Sequence, residues 1–268
     1  MEDTKIKESI KNTFDDVAKS YDTNRHFHIS AKKLVELAEV NEPKNILDLS
    51  TGTGHIAIEL AKKFPNAQIH AVDISDEMLN IARVKAKELG LKNITFYLQD
   101  VENLEFEGIE FDLVTCGYGL FFYPNMDDVF CDICKRVKDD GLFIFSTFTD
   151  NAFQPYVKIF LDMLQEGYNI APPDRIEKRQ LNSHEEIKQF SSQVSHKGLV
   201  VHDVNIRFAM DIDEWWSLIQ TTGFSGLLTQ LDKNFEQFEK EYFKHLKTLH
   251  QDNAIDFNAD SLISVVKV

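Results

Sequence analysis

Residues 46–55 read Ile46-Leu47-Asp48-Leu49-Ser50-Thr51-Gly52-Thr53-Gly54-His55. The first four residues have the apolar character of a buried strand, and the two glycines precede a helical pattern. Glycine adopts positive φ and lets a ligand approach the backbone closely, and a helix start leaves N–H groups without partners. The segment therefore predicts a strand, a turn and a helix that together form a cofactor site.

Three acidic residues stand at the ends of successive apolar runs. Asp48 lies just before the glycine turn, Asp73 closes the next run and Asp100 closes the third. A carboxylate in the position of Asp73 can accept hydrogen bonds from both hydroxyls of a ribose. The carboxyl ends of parallel strands meet at one edge of a sheet, so the three acids predict a nucleoside site at that edge.

Strand and helix patterns alternate through the first half of the chain, which is typical of a parallel sheet covered by helices on both faces. Apolar runs predict strands at 45–50, 68–73, 94–99, 111–116 and 142–148. Helical periodicity is found at 55–64, 76–90, 126–137, 153–166, 184–192, 211–222 and 235–249. Strand patterns return at 199–209 and 261–268. The predicted fold class is α/β, with a Rossmann-like, doubly wound, mostly parallel sheet of seven strands and a helical cap insertion.

The chain shows no internal repeat and no low-complexity linker, so a single domain over residues 1–268 is predicted. Residues 151–197 interrupt the alternation with an amphipathic helix, a Pro172-Pro173 loop and a polar helix. This range is predicted to be the inserted helical cap.

Charge and composition limit the partners that the chain can have. It carries 29 basic and 44 acidic residues, a formal net charge of −15, which repels the phosphates of nucleic acids and anionic lipid surfaces. Residues 1–20 lack the apolar core of a signal peptide, and no run of about 18 apolar residues is present to span a membrane. We therefore expect a cytoplasmic protein that binds neither nucleic acid nor membrane.

The three cysteines, Cys116, Cys131 and Cys134, are expected to be reduced thiols, because their number is odd and no secretory signal precedes them. Cys131 and Cys134 resemble half of a zinc site, but no second Cys or His pair follows at the required spacing. They are predicted to be ordinary cysteines on one face of a helix, and no metal is expected.

The glycine turn is compatible with more than one kind of nucleotide site. A phosphate-binding P-loop needs a Lys-Ser/Thr pair after its second glycine, but His55-Ile56 follows here. An NAD-binding dinucleotide fold fits the spacing and stays an alternative, although Asp48 would face the negative pyrophosphate. S-adenosylmethionine presents an ammonium and a sulfonium, and a charge-assisted hydrogen bond to Asp48 would be worth roughly 1.5 to 3 kcal/mol. This cofactor is favoured over a dinucleotide and over a purely structural turn.

Several segments carry a resemblance to a known family. Residues 47–54 look like its first motif, with Ser50 where many members have glycine, and residues 73–79 look like its acidic second-strand loop. Residues 99–101 and 111–120 are similar to the adenine-binding segment and to the fourth strand with its loop. On these motifs the chain resembles the class I S-adenosylmethionine-dependent methyltransferases, and within them the ubiquinone/menaquinone-biosynthesis (type 11) group.

The resemblance implies a cofactor, S-adenosyl-L-methionine, and a set of residues that bind it. These residues are Asp48, Ser50, Thr51, Gly52, Thr53, Gly54, Asp73, Ile74, Met78, Asp100, Val101, Gly117 and Tyr118. Residues 14–22 resemble the N-terminal segment that folds over the site, so residues 1–28 are expected to form a lid. Lys138-Asp-Asp-Gly141 departs from the family's Lys-Pro-Gly-Gly, which is expected to affect only that turn.

Aromatic residues and histidines are concentrated around the expected site of reaction. The candidates for a catalytic role are Tyr21, Tyr118, Tyr123 and His26, with Phe121, Phe122 and His28 nearby. They indicate an aromatic acceptor pocket, although residues 121–124 would also serve to seal the core. Trp215 and Trp216 are expected to pack in the core, and the helix at 153–166 is expected to roof the acceptor pocket or to pack as an ordinary amphipathic helix.

The predicted activity is transfer of a methyl group to a small aromatic or apolar metabolite by in-line displacement. Such a reaction depends mainly on alignment of the acceptor, and a base is needed only where the acceptor loses a proton. An NAD-dependent oxidoreductase and a noncatalytic cofactor-binding regulatory protein are the alternatives. The intact turn and strand-end acids favour an active enzyme.

Overall fold

The computed structural model describes residues 2–171, 181–250 and 253–268. Its centre is a sheet of seven strands, which are β1 Asn45–Leu49, β2 Gln68–Asp73, β3 Ile94–Leu98, β4 Phe111–Gly117, β5 Val137–Phe148, β6 Gly198–Val204 and β9 Ser261–Lys267. Their order in the sheet is β3-β2-β1-β4-β5-β9-β6. Strands β1 to β5 run parallel to one another, and β9 runs antiparallel to both β5 and β6. The predicted α/β fold class with a Rossmann-like, mostly parallel sheet of seven strands is therefore confirmed.

Helices cover both faces of this sheet. The first five are α1 Glu2–Tyr21, α2 Arg25–Glu36, α3 His55–Lys63, α4 Asp76–Glu88 and α5 Met126–Arg136. The later ones are α6 Tyr156–Tyr168, α7 His184–Ser191, α8 Ile212–Gln220, α9 Ser225–Leu228 and α10 Phe235–Leu249. Short 3-10 turns occupy Val101–Asn103, Leu120–Phe122 and Thr229–Asn234.

Alternate residues of the central strands serve the two opposite cores. In β1, Ile46 packs in one cluster with Leu60 of α3, whereas Leu47 and Leu49 pack in another with Phe130 of α5. Because successive side chains of a strand point to opposite faces, an uninterrupted apolar run is what a sheet buried on both sides requires.

A second layer lies outside the sheet and was only partly predicted. Strands β7 Arg207–Asp211 and β8 Ala254–Asn258 pair antiparallel as a separate two-stranded sheet. The prediction of one continuous strand at 199–209 is thus wrong, since the chain leaves the main sheet after Val204. Helices α6, α8 and α10 share an apolar core with this small sheet, and Trp215 and Trp216 are both buried in it as expected.

The predicted cap at 151–197 does not match this layer. Helix α6 belongs to it, but α7 packs in the core of the main sheet. There, the ring centroids of Phe190 on α7 and Phe130 on α5 are 4.5 Å apart. The layer instead draws on residues 206–259 for most of its core. Helix α6 also begins at Tyr156 rather than at residue 153, and the predicted Pro172-Pro173 loop lies outside the described residues.

No helix in the described parts of the chain is both long enough and apolar enough to cross a bilayer.

Candidate functional site

The glycine turn between β1 and α3 has the backbone geometry that its sequence predicts. Ser50, Gly52 and Gly54 all have positive φ, at 48°, 55° and 84°. A Cβ added at Gly54 would lie 3.0 Å from the Cβ of Ala82, whereas a Cβ at Gly52 would meet nothing within 4 Å. The turn therefore packs against α4 on the side of Gly54 and leaves open space over Gly52.

Asp73 ties this turn to the end of β2. Its Oδ2 accepts a hydrogen bond from the Gly52 backbone N–H at 2.8 Å, and its Oδ1 accepts one from the Ser75 N–H at 2.9 Å. Burial raises the pKa of this carboxyl to about 6, against the lowering effect of those N–H donors. The Ile74 N–H also interacts with this carboxylate, which has about four acceptor positions and can therefore still accept a hydrogen bond from a ligand.

Asp48 lies beneath the turn rather than on its surface. Its side chain is 0% exposed, and its two oxygens accept hydrogen bonds from the hydroxyls of Thr51 at 2.6 Å and Thr115 at 2.7 Å. Burial raises its pKa to about 7. The direct contact with a cationic cofactor that the sequence suggested does not fit this arrangement, because the carboxylate has no exposed surface. Asp48 instead holds the turn to β4.

Asp100 begins the 3-10 turn after β3, and Val101 follows it with 8% of its surface exposed. The Oδ1 of Asp100 accepts from the Glu102 N–H at 3.0 Å. Its Oδ2 lies 2.6 Å from the Nζ of Lys7 on α1, which is also 2.6 Å from Glu102 Oε2. Lys7 therefore neutralises two acids at this edge of the sheet, a role that no sequence pattern predicted.

Helix α1 and Asp22, the residue that follows it, contact the same edge at three further places. Asp15 accepts a hydrogen bond from the Ser75 hydroxyl, and Asp22 accepts one from the Thr53 hydroxyl. Asp22 also pairs with Lys85 of α4 at 2.7 Å. Met78 of α4 is 1% exposed and packs in a small apolar cluster with residues of α1. Ile74, just before α4, is half-buried. Helix α1 thus covers the carboxyl edge of the sheet.

Two of the predicted catalytic tyrosines have hydroxyls that are already engaged. Tyr118, which follows Gly117 with a φ of 54°, bonds to the hydroxyls of Ser30 at 2.6 Å and Ser261 at 2.8 Å. Tyr123 bonds to the Ser50 hydroxyl at 2.7 Å. Burial raises the pKa of Tyr118 to about 12 and that of Tyr123 well above its usual value. Both arrangements favour a structural role over the catalytic one that the sequence suggested.

The other two catalytic candidates lie in aromatic surroundings. Tyr21 stacks on Phe27 with ring centroids 4.7 Å apart, and burial together with the nearby Asp73 carboxylate raises its pKa. His26 is 1% exposed and lies among phenylalanine rings. His28 is exposed, which does not suit a role in a closed pocket.

Phe121 and Phe122 are half-buried after β4, and Phe122 packs edge-on against Phe14 of α1 at 5.3 Å. This contact joins the loop after β4 to the helix that covers the cofactor edge.

The structure thus brings the glycine turn, Asp73 and Asp100 to one edge, as predicted from their positions at strand ends. Space over Gly52, a carboxylate beside it and an acid at the end of the next strand are compatible with an adenosyl group. Within the described residues, no group of three or more His, Cys, Asp or Glu side chains is placed to hold a metal ion.

Comparisons with known proteins agree with this geometry. A family model described as a methyltransferase domain matches residues 41–207. The malonyl-[acyl-carrier protein] O-methyltransferase of Bacillus cereus is 29% identical over 152 residues, and the chain spans 54% of its length, with 54% of this chain covered. The ubiquinone/menaquinone biosynthesis C-methyltransferase of Rickettsia massiliae is 31% identical over 179 residues, which cover 63% of this chain and 71% of that protein.

A solved structure shows the same fold. It is the phosphoethanolamine N-methyltransferase 2 of Haemonchus contortus, in complex with phosphomonomethylethanolamine and S-adenosylhomocysteine, with a TM-score of 0.54 and 16% identity. The similarity covers 89% of this chain and 52% of that one. These matches confirm the resemblance that the motifs carried: the chain belongs to the class I S-adenosylmethionine-dependent methyltransferases.

Proposed function

We propose that the chain binds S-adenosylmethionine at the carboxyl edge of its sheet and transfers the methyl group to a small aromatic or apolar acceptor. The observation that carries this proposal is the open space over Gly52 beside the Asp73 carboxylate. Asp73 would hold the ribose, and Asp100 with the Val101 N–H would hold the adenine. The family relationship supports the same cofactor.

When bound, S-adenosylmethionine supplies a methyl group that its sulfonium activates. The residues of the chain then need to bind, orient and exclude water. Asp48 fixes the turn through Thr51 and Thr115, and helix α1 covers the edge of the sheet. Alignment of two reactants in a near-attack geometry can lower the activation free energy by roughly 7 to 11 kcal/mol. Positioning is therefore the main contribution that we assign to this site.

The acceptor class is inferred from the chain's own residues. The printed names of the Bacillus and Rickettsia relatives refer to different acceptors, an acyl-carrier protein and quinones. Here, Tyr21, Phe27, Tyr118 and Phe148 form a continuous series of ring contacts from the cofactor edge into the fold. We propose that the acceptor meets these rings, and an aromatic surface of this kind would suit a planar or apolar molecule.

Cofactor binding gives the direct test. S-adenosylhomocysteine at 100 times its dissociation constant should stabilise the protein by about 2.7 kcal/mol and raise the melting temperature, whereas NAD should not. A shift with NAD alone would contradict the methyltransferase proposal in favour of the oxidoreductase. Incubation with methyl-labelled cofactor and a metabolite extract, followed by mass spectrometry, should yield a labelled product. Cofactor binding without any label would favour the noncatalytic alternative.

We further propose that residues 1–28 act as a lid. Their contacts with Asp100, Ser75 and Thr53 all involve the edge where the cofactor would lie. S-adenosylhomocysteine should therefore slow tryptic cleavage after Lys11 and Lys19, because the bound ligand would favour the closed helix. Cleavage at the exposed Lys240 of α10 is the control and should not change. Equal protection at all three lysines would argue against a lid.

A further inference from the structure

Ser50 has a backbone conformation that serine rarely adopts. It follows β1 directly as the first residue of the turn, and its φ is 48°, in the left-handed region. Glycine adopts this conformation freely, whereas a side chain at such a φ crowds the backbone and raises the free energy. A serine therefore keeps this conformation only where the surrounding contacts hold it.

The hydroxyl of Tyr123 supplies one such contact. It lies 2.7 Å from the Ser50 Oγ and 3.5 Å from the Sγ of Cys116 on β4. The ring of Tyr123 is half-buried and packs against the apolar core that contains Phe130 of α5, which fixes the position of its hydroxyl. A phenylalanine ring could fill the same space, but it could not form the hydrogen bond to Ser50.

The segment that carries Tyr123 also touches the turn directly. We call residues 118–125 the β4 loop, since they connect β4 to α5. A Cβ added at Gly119 would lie 2.9 Å from the Cβ of Ser50 and 2.8 Å from the Sγ of Cys116. The backbone of the β4 loop is thus packed closely against the Ser50 side chain, and a movement of Ser50 displaces the loop as well.

The β4 loop contacts two other parts of the cofactor edge. The backbone N–H and the Nδ2 of Asn125 donate to the two carboxylate oxygens of Glu102 at 3.0 and 3.1 Å, and Glu102 lies two positions after Asp100. Phe122 packs against Phe14 of α1 with ring centroids 5.3 Å apart. The loop therefore joins the glycine turn, the segment after β3 and helix α1.

We propose that Tyr123 is a positioning residue for the cofactor. Its hydrogen bond holds Ser50 in the conformation that keeps the space over Gly52 open, and it makes that conformation depend on the β4 loop. Ser50 lies two positions before Gly52, so a change in its φ redirects the backbone where we assign the cofactor. This inference rests on the proposed function, because it concerns the same cofactor site. Tyr123 acts through Ser50 and does not touch the reacting atoms.

A double-mutant cycle tests this role by titration calorimetry. Tyr123→Phe and Ser50→Ala should each weaken S-adenosylhomocysteine binding about fivefold, because either change removes the same hydrogen bond. The double variant should bind no more weakly than either single variant. In a Ser50→Gly background, where glycine needs no such bond, the further change Tyr123→Phe should alter the affinity less than about twofold.

Tyr242→Phe is the matched control for the loss of a buried tyrosine hydroxyl. The Tyr242 hydroxyl accepts a hydrogen bond from the Trp215 Nε1 at 2.7 Å in the core of the outer layer. Its removal should lower the melting temperature and leave the affinity for S-adenosylhomocysteine unchanged. A merely structural role of Tyr123 would give the same result as this control.

Wild-type affinity in Tyr123→Phe, or losses that add up in the double variant, would overturn the role of Tyr123. Hydrogen exchange of the wild-type protein needs no variant: S-adenosylhomocysteine should slow exchange of the Phe122 and Tyr123 backbone amides, which bond to carbonyls within the β4 loop. Unchanged exchange there would contradict the coupling. If wild-type protein does not bind S-adenosylhomocysteine, the proposed function fails together with this inference, whereas binding that is insensitive to Tyr123→Phe removes only the positioning role.

Discussion

Replacing Asp73 by alanine should weaken S-adenosylhomocysteine binding by about 100-fold. A hydrogen bond to a charged group contributes roughly 1.5 to 3 kcal/mol, and we propose that this carboxylate accepts bonds from the ribose hydroxyls. The substitution also removes the acceptor of the Gly52 N–H, so the turn loses one of its hydrogen bonds to β2 and keeps the one from the Thr51 N–H to the Val72 carbonyl. Titration calorimetry of the purified variant measures the effect.

Asp76→Ala is the matched control for this change. Asp76 lies three positions further along the same segment and its side chain is 53% exposed, so the substitution removes the same charge without touching the turn. Its affinity for S-adenosylhomocysteine should stay within about twofold of wild type, as expected for a screened surface charge. Wild-type affinity in Asp73→Ala would show that the ribose is held elsewhere.

The same carboxylate should make cofactor binding depend on pH. Because burial raises the pKa of Asp73 to about 6, its charged form is lost as the pH falls through that value. The affinity for S-adenosylhomocysteine should therefore fall between pH 7 and pH 5. Asp48, with a pKa of about 7, titrates nearby, so the comparison with Asp73→Asn isolates the contribution of Asp73. If Asp73→Asn kept the wild-type pH profile of S-adenosylhomocysteine affinity, the pH dependence would come from another group.

The main sheet could be predicted from the sequence because its signals are local. A strand buried on both faces needs a continuous apolar run, and the runs at β1, β2 and β4 are bounded by turns or acids. The small sheet had no such signal. Strand β7 follows β6 without glycine or proline between them, and its partner β8 lies more than 40 residues away in a short, partly polar segment.

Side-chain roles in the site were less predictable than backbone geometry. The glycines and the strand-end acids follow from the turn itself, and the structure places them together. The orientation of Asp48 depends on Thr115 of a neighbouring strand, and the pairing of Asp100 depends on Lys7, which is 93 positions away. Such contacts form only after the chain has folded, so no local pattern indicates them.

The open space over Gly52 predicts a second large effect, a loss of cofactor affinity when this glycine is replaced. Gly52→Ala should lower S-adenosylhomocysteine affinity roughly 10- to 100-fold, because the added methyl group would occupy space that we assign to the cofactor. Overpacking of this kind costs about 1 to 3 kcal/mol. It should also destabilise the protein by about 1 kcal/mol, since alanine is strained at a φ of 55°. Thermal unfolding and calorimetry measure the two effects separately.

Gly90→Ala separates the loss of affinity from the backbone strain. Gly90 follows α4 with a φ of 69°, and a Cβ there would also meet nothing within 4 Å, but it lies at an exposed turn away from the site. Both variants should therefore lose similar stability, while only Gly52→Ala loses cofactor affinity. If the two variants bound S-adenosylhomocysteine equally well, the open space over Gly52 would not be where the cofactor lies. The other side of the turn, at Gly54, is already filled by the Ala82 side chain, so an adenosyl group could not bind there.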